Sequence, residues 1–153
     1  MYYLCHMNKT VTIDYLLRTT WNAVVKMYND EAAQFDSTMV VGFTLLSIDP
    51  KEGSPSMSLG PKMGIESTSL SRTLTKLEEA GLIVREANKS DKRNVIIKLT
   101  KKGLEMRDVS KNYVLDFQRK VNEALSEKEL NQLMKSLNKI HKIAQEQIQL
   151  NGE

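Results

Sequence analysis

Cysteine occurs once in this 153-residue chain, as Cys5, and histidine only twice. One thiol cannot close an internal disulfide, so the sequence suits a reducing compartment. His6 and His141 are too few and too separated to resemble a metal-ligand spacing, and neither a metal nor a cofactor is expected. No apolar run approaches the roughly 20 residues needed to cross a bilayer. The opening MYYLCHMNKT lacks the basic start and long apolar core of a secretory signal. Together these absences lead to the expectation of a cytoplasmic protein with no membrane association. A phosphate-cradling glycine loop, a Ser/His/Asp ordering and paired catalytic carboxylates are also missing, so the chain is not expected to be an enzyme.

What is present has the size and balance of one folded domain, with 41% hydrophobic and 27% charged residues. The formal net charge is only +3, but it is unevenly placed. From Ser54 to Gly103 ten Lys and Arg face five acids, a surplus of five that leaves the rest of the chain negative by two. A local cationic surplus of this kind points toward a polyanion as partner, with a solvated basic face as the plainer alternative.

Periodicity gives the order of elements. From Ile13 to about Phe35 the residues Leu16, Leu17, Trp21, Val24, Val25 and Tyr28 recur at spacings of three and four, predicting an amphipathic helix. Asp36 and Ser37 are candidate caps for a second helix, TMVVGFTLLSI, which the loop DPKEGSP ends. In SMSLGPKM, Ser58 as cap would place Pro61 in a first helical turn, where its missing N–H is tolerated. Gly64 should end that short or irregular helix. STSLSRTLTKLEEAG then reads as a fourth helix, with Leu70, Thr73, Leu74 and Leu77 inward and Thr68, Arg72, Thr75, Lys76 and Glu79 outward. Two apolar runs, LIV and VII, follow as the strands of a hairpin. A long helix to Leu125 comes next, and a last one opens at the capping box Ser126/Glu129.

Two helices joined by a short glycine-containing turn form a helix-turn-helix unit, and its second helix enters the major groove N-terminus first when it reads DNA. Ser67, Thr68, Ser69 and Arg72 are the candidate groove-reading residues. Small hydroxyls permit close approach, and an arginine grips a guanine edge or a phosphate. Ser56, Ser58, Lys76, Lys89 and Lys92 are candidate phosphate contacts. The hairpin tip, NKSDKRN from Asn88 to Asn94, is long, lacks glycine and carries three cations against Asp91. Such a loop beside a reading helix can place Arg93 in the adjacent minor groove, whose narrow form attracts arginine, with Asp91 orienting the guanidinium. The plainer reading is a serine-capped helix with a solvated Arg72.

LEEAGLIVREANKSDKRNVIIKLTKKG, Leu77 to Gly103, resembles the signature of the MarR family of winged-helix regulators. The matching positions are Leu77, Gly81, Leu82, Arg85, Asp91, Arg93, Leu99, Thr100 and Gly103. The resemblance extends over nearly the whole chain through the order of its helices. It implies a mainly α fold with a small β-hairpin wing: one domain, 1–153, with a winged-helix lobe at 36–103 and dimerisation helices at 8–35 and 104–150. It also implies a homodimer on a pseudo-palindromic operator in double-stranded DNA. The function implied is a sequence-specific transcriptional repressor, released by a small lipophilic or phenolic effector. Arg93 would then be the minor-groove residue, Asp91 its orienting partner, and Ser67, Thr68, Ser69 and Arg72 the major-groove set.

Two positions depart from that pattern. Gly60 and Pro61 stand where most relatives continue an ordinary helix, so a distorted supporting helix is expected. Glu66 stands where a small cap is usual. Two rival readings accompany the resemblance. A thiol-based redox sensor would use Cys5, although its only polar neighbour is His6 and no Lys or Arg is near enough in sequence to lower its pKa. A winged helix that serves only as a protein-interaction module would need neither Asp91 nor Arg93. Met39, Met57, Met63 and Met106 fall where core or pocket filling is expected, and methionine-lined cavities adapt readily to ligands.

Overall fold

A computed structural model describes residues 11–87 and 95–150. The elements run α1 (Ile13–Ala33), α2 (Met39–Ser47), β1 (Ser54–Pro55), α3 (Ser56–Met63), α4 (Ser67–Glu79), β2 (Ile83–Ala87), β3 (Val95–Leu99), α5 (Lys101–Ala124) and α6 (Glu127–Leu150). The fold is mainly α with a small antiparallel sheet, as the sequence predicts. The chain divides into two compact units, with the boundary between Tyr113 and Val114. Among the described residues no helix is long and apolar enough to cross a membrane.

In the first unit α1 starts at Thr12, whose hydroxyl accepts the N–H of Tyr15 at 3.2 Å. It is tied to α2 by Asn29, whose side-chain oxygen accepts the N–H of Met39 at 2.9 Å, and by an edge-to-face contact of Tyr28 with Phe43 at 5.5 Å. Burial pushes the Tyr28 hydroxyl above its ordinary pKa. The cap of α2 is Thr38, one residue beyond the expected pair. Asp36 and Ser37 instead belong to the end of α1. Their N–H groups bond back to Ala33 and Ala32, and Asp36 takes a left-handed φ of 50°.

The short helix also differs from expectation. Ser58 does not cap it; α3 begins two residues earlier, after Pro55, and Ser58 donates its hydroxyl to the Pro55 carbonyl at 2.8 Å. Pro61 therefore lies inside the helix, past its first turn, and the helix runs continuously from Ser56 to Met63. Gly64 at φ 64° closes α3, with Gly64 bonding Pro61 and Ile65 bonding Gly60. The sheet has a third strand that the loop reading missed. Ser54 pairs with Ile97 and Pro55 with Ile96, giving the order β1-β3-β2. Gly53 makes this possible: at φ 75°, a β-carbon there would lie 2.6 Å from the Ile97 carbonyl oxygen.

The core of the unit is built by α2, α3, α4 and the sheet around Leu45, Ile48, Leu59, Leu70, Leu74, Leu77, Leu82, Ile83 and Ile97. Removing these side chains from water is the main stabilising contribution, roughly 1.5–3 kcal/mol for each large one. Thr73, expected in the inward stripe, is only half-buried. The run Leu99-Thr100-Lys101-Lys102-Gly103 clasps the end of α4. Thr100 donates its hydroxyl to the Gly81 carbonyl at 2.7 Å and accepts the N–H of Gly103 at 3.0 Å. Lys102 reaches the Ala80 carbonyl at 3.0 Å.

In the second unit, α6 opens at the predicted capping box. The backbone N–H and hydroxyl of Ser126 both donate to the Glu129 carboxylate, at 2.8 and 2.6 Å. These bonds hold the Glu129 pKa below its ordinary range. A carboxyl with a lowered folded pKa contributes stability above the unfolded value and loses it as pH falls through the folded one. Replacing Glu129 by Gln is thus expected to cost helical stability at neutral pH and progressively less in acid. Thermal melts followed by circular dichroism across pH 3–7 check this, and a gap between the two proteins that stays constant with pH would contradict it.

Candidate nucleic-acid interface

The outward face of α4 is set by its inward one. Leu70, Leu74 and Leu77 lock the helix onto the core, and at 100° per residue Thr68, Arg72, Thr75 and Glu79 must then line the far side. Lys76 flanks that stripe one turn beyond Arg72. All five are exposed. Among the described residues, the side chains of Thr68, Arg72 and Lys76 engage no hydrogen-bond or ionic partner, so they are free to meet a ligand. The helix N-terminus, with its unsatisfied N–H groups, lies at the same end as Thr68. Glu66 precedes α4 without capping it through its side chain.

The four residues expected to read the major groove do not share one face. Thr68 and Arg72 point the same way, and Ser69 stands to one side of them, its carbonyl accepting the Thr73 hydroxyl at 3.0 Å. Ser67 turns the other way and lines a groove of about 210 Å³ with Ser56, Met57, Ser71, Arg85 and Val95. Ser56 and Ser58 are half-buried at the start of α3. Ser58 would have to exchange its bond to Pro55 for any phosphate.

The wing is anchored by β2 and β3, paired from Ile83↔Leu99 to Ala87↔Val95. A diagonal ion pair, Lys98 to Glu86 at 2.8 Å, braces it and raises the Lys98 pKa through that hydrogen bond. The seven residues that follow Ala87, among them Lys89, Asp91, Lys92 and Arg93, lie outside the described residues, as do Cys5 and His6. Ala87 and Val95, the described residues on either side of that segment, pair across the sheet, and Val95 lines the groove beside Ser67.

Sequence reasoning missed two features. The first joins distant stretches of chain: Arg85 on β2 pairs with Glu78 at 3.2 Å and donates to the Thr75 hydroxyl at 3.2 Å, both on α4. No local pattern announces a contact between residues seven and ten apart across a turn. The second is a cavity of about 470 Å³ lined by Trp21 of α1, Met39, Val40, Phe43 and Ser47 of α2, and Lys62 to Ile65. Met39 and Met63 carried a hint of it, as methionines at positions suited to pocket filling. The aromatic walls come from two helices whose packing the sequence does not fix.

Comparison with known proteins agrees with this architecture. A model of the MarR family matches residues 38–95. The HTH-type transcriptional regulator SarZ of Staphylococcus saprophyticus is 30% identical over 119 residues, which cover 75% of this chain and 82% of that protein. The S. aureus MepR–DNA complex has a TM-score of 0.80 at 24% identity, covering 87% of this chain and 98% of that one. CouR from Rhodococcus jostii RHA1, bound to p-coumaroyl-CoA, has a TM-score of 0.74 at 24% identity, covering 87% and 95%. At such identities the two structures speak to the fold alone.

Proposed function

Since the chain belongs to the MarR family of transcriptional regulators, we propose that it binds an operator in duplex DNA as a homodimer and that a small effector releases it. The observation that carries this reading is the outward side of α4, where Thr68, Arg72 and Lys76 stand exposed and unengaged along a helix fixed by its leucines. In this reading Ser67, Thr68, Ser69 and Arg72 meet the major groove. Ser56, Ser58, Lys76, Lys89 and Lys92 meet phosphates, and Arg93, oriented by Asp91, enters the minor groove. Residues 36–103 are the reading lobe, and 8–35 with 104–150 the dimerisation region. The output proposed is repression by occupancy of the operator, with no catalytic step.

A second copy is the natural occupant of the apolar helix faces. α6 runs 24 residues with none buried, and Ile143 and Ile148 are 59% and 71% exposed. On α1, Leu16, Leu17 and Trp21 are exposed likewise. Amphipathic helices of that length do not leave such stripes in water, and a pseudo-palindromic site calls for a two-fold protein.

The cavity beside Trp21 and Phe43 suits the effector, a small lipophilic or phenolic molecule. Its lining includes Gly64 and Ile65, the turn that leads directly into α4, which gives an occupant a route to the reading helix.

Arg72 supplies the test. Arg72→Ala is expected to lower operator affinity by about 1–3 kcal/mol per half-site and to relax the preferred sequence at one position. Enrichment from a random duplex pool, with wild type and variant compared at two salt concentrations, reads both effects. Equal loss on every duplex, with a shallower salt dependence, would make Arg72 a phosphate contact instead.

A further inference from the structure

Between the wing and the reading helix lies a chain of polar contacts that neither the core nor the DNA-facing set needs. Arg85 projects from the third residue of β2. One of its terminal nitrogens donates to the Thr75 hydroxyl at 3.2 Å, while its Nε pairs with the Glu78 carboxylate at 3.2 Å. Thr75 in turn donates its hydroxyl to the Ser71 carbonyl at 3.1 Å. The relay thus runs from the wing strand into the backbone of α4, ending one residue before Arg72. Arg85 and Glu78 are 36% and 43% exposed, so the pair is too hydrated to matter much for stability. Its geometry is nevertheless specific, because one planar guanidinium holds two points of the helix at once.

We infer that Arg85 is a positioning residue: it fixes the angle and spacing between the wing and α4, so that both meet adjacent grooves of one duplex in register. This rests on the DNA-binding reading above. Holding two contact elements in their bound arrangement raises affinity by reducing the ordering required on binding, without any contact of its own. A dimer carries the latch twice, so a loss of about threefold per half-site becomes about tenfold for the operator.

Glu78 makes the inference separable from plain electrostatics. Removing an acid from a DNA-binding lobe ordinarily strengthens binding to a polyanion. A latch predicts the opposite sign.

The experiment uses the full-length protein and the duplex that the wild type enriches from a random pool. Arg85→Ala, Glu78→Ala and Thr75→Val are each expected to bind that duplex about three- to tenfold more weakly, with thermal stability close to wild type. The salt dependence of binding should be unchanged, since no phosphate contact is removed. Arg85→Lys should rescue only part of the loss, because an ammonium cannot hold both partners. Tighter binding by Glu78→Ala, wild-type binding by Arg85→Ala, or a salt slope for Arg85→Ala shallower by about two, one for each half-site, overturns the latch while leaving the DNA-binding reading intact. If the wild type enriches no duplex at all, that reading falls and the latch falls with it.

Discussion

Gly103→Ala is expected to unfold the reading lobe at temperatures where the wild type is intact. Gly103 sits in the first turn of α5, pressed against the chain between α4 and β2. A β-carbon there would overlap the Leu82 carbonyl oxygen and come within 2.9 Å of the Leu82 carbonyl carbon. Both are backbone atoms, and the same Leu82 oxygen accepts the N–H of Thr100 at 3.0 Å. The neighbour cannot swing aside as a side chain could; α5 must lift. Lifting it strains the clasp in which Thr100 bonds both Gly81 and Gly103, and it opens the core beside Leu82 and Leu99. Overpacking of this kind costs about 1–3 kcal/mol when side chains can adapt, and more when only backbone can move. Against a total stability of roughly 5–15 kcal/mol, a loss of about 3 kcal/mol lowers the melting temperature by about 10 °C. Thermal unfolding followed by circular dichroism decides it, and a variant melting within a degree or two of the wild type would mean that α5 does not pack as described.

The signature stretch was legible because its residues do local work. Gly81 and Gly103 mark helix ends and a close approach, Thr100 is a cap, and the leucines of α4 repeat at helical spacing. The Ser126/Glu129 box could be read for the same reason, since both partners lie within one turn. Errors arose where the cause was not local. Asp36 and Ser37 are acceptable caps in isolation, yet α1 keeps bonding past its last regular turn and claims them both. Pro61 suggests an early helix position only if the start is guessed at Ser58; the real start at Ser56 depends on β1, two residues long and held by Gly53 against β3. Such a strand has no periodicity to detect. Of the candidate site, the residue types were readable and their directions were not. Helical geometry sends Ser67 toward Arg85 and Val95 while Thr68 and Arg72 face outward.

Arg93→Ala is expected to weaken operator binding about a hundredfold while leaving the dimer and its melting temperature unchanged. The figure follows from two half-sites, each losing about 1.4 kcal/mol, within the range for a single well-placed arginine. Arg93 lies outside the described residues, so its role rests on the sequence of the tip and on the strands that carry it. Val95 begins β3 two residues later, paired with Ala87, and the Lys98–Glu86 bridge stiffens the stem below. A stiff stem matters because a cation on a loose loop spends most encounters elsewhere, whereas one delivered to the minor groove gains from its concentrated negative potential. Replacing Lys89 or Lys92, proposed above as phosphate contacts, should produce a smaller, sequence-independent loss with a shallower salt slope. The minor groove itself supplies the control. In a duplex whose adenines under the wing are replaced by 2,6-diaminopurine, an added amino group occupies the groove floor, and wild type and Arg93→Ala should bind alike. A hundredfold difference that persists on the blocked duplex would move Arg93 to the phosphates, and no difference on the unmodified duplex would remove the wing from recognition.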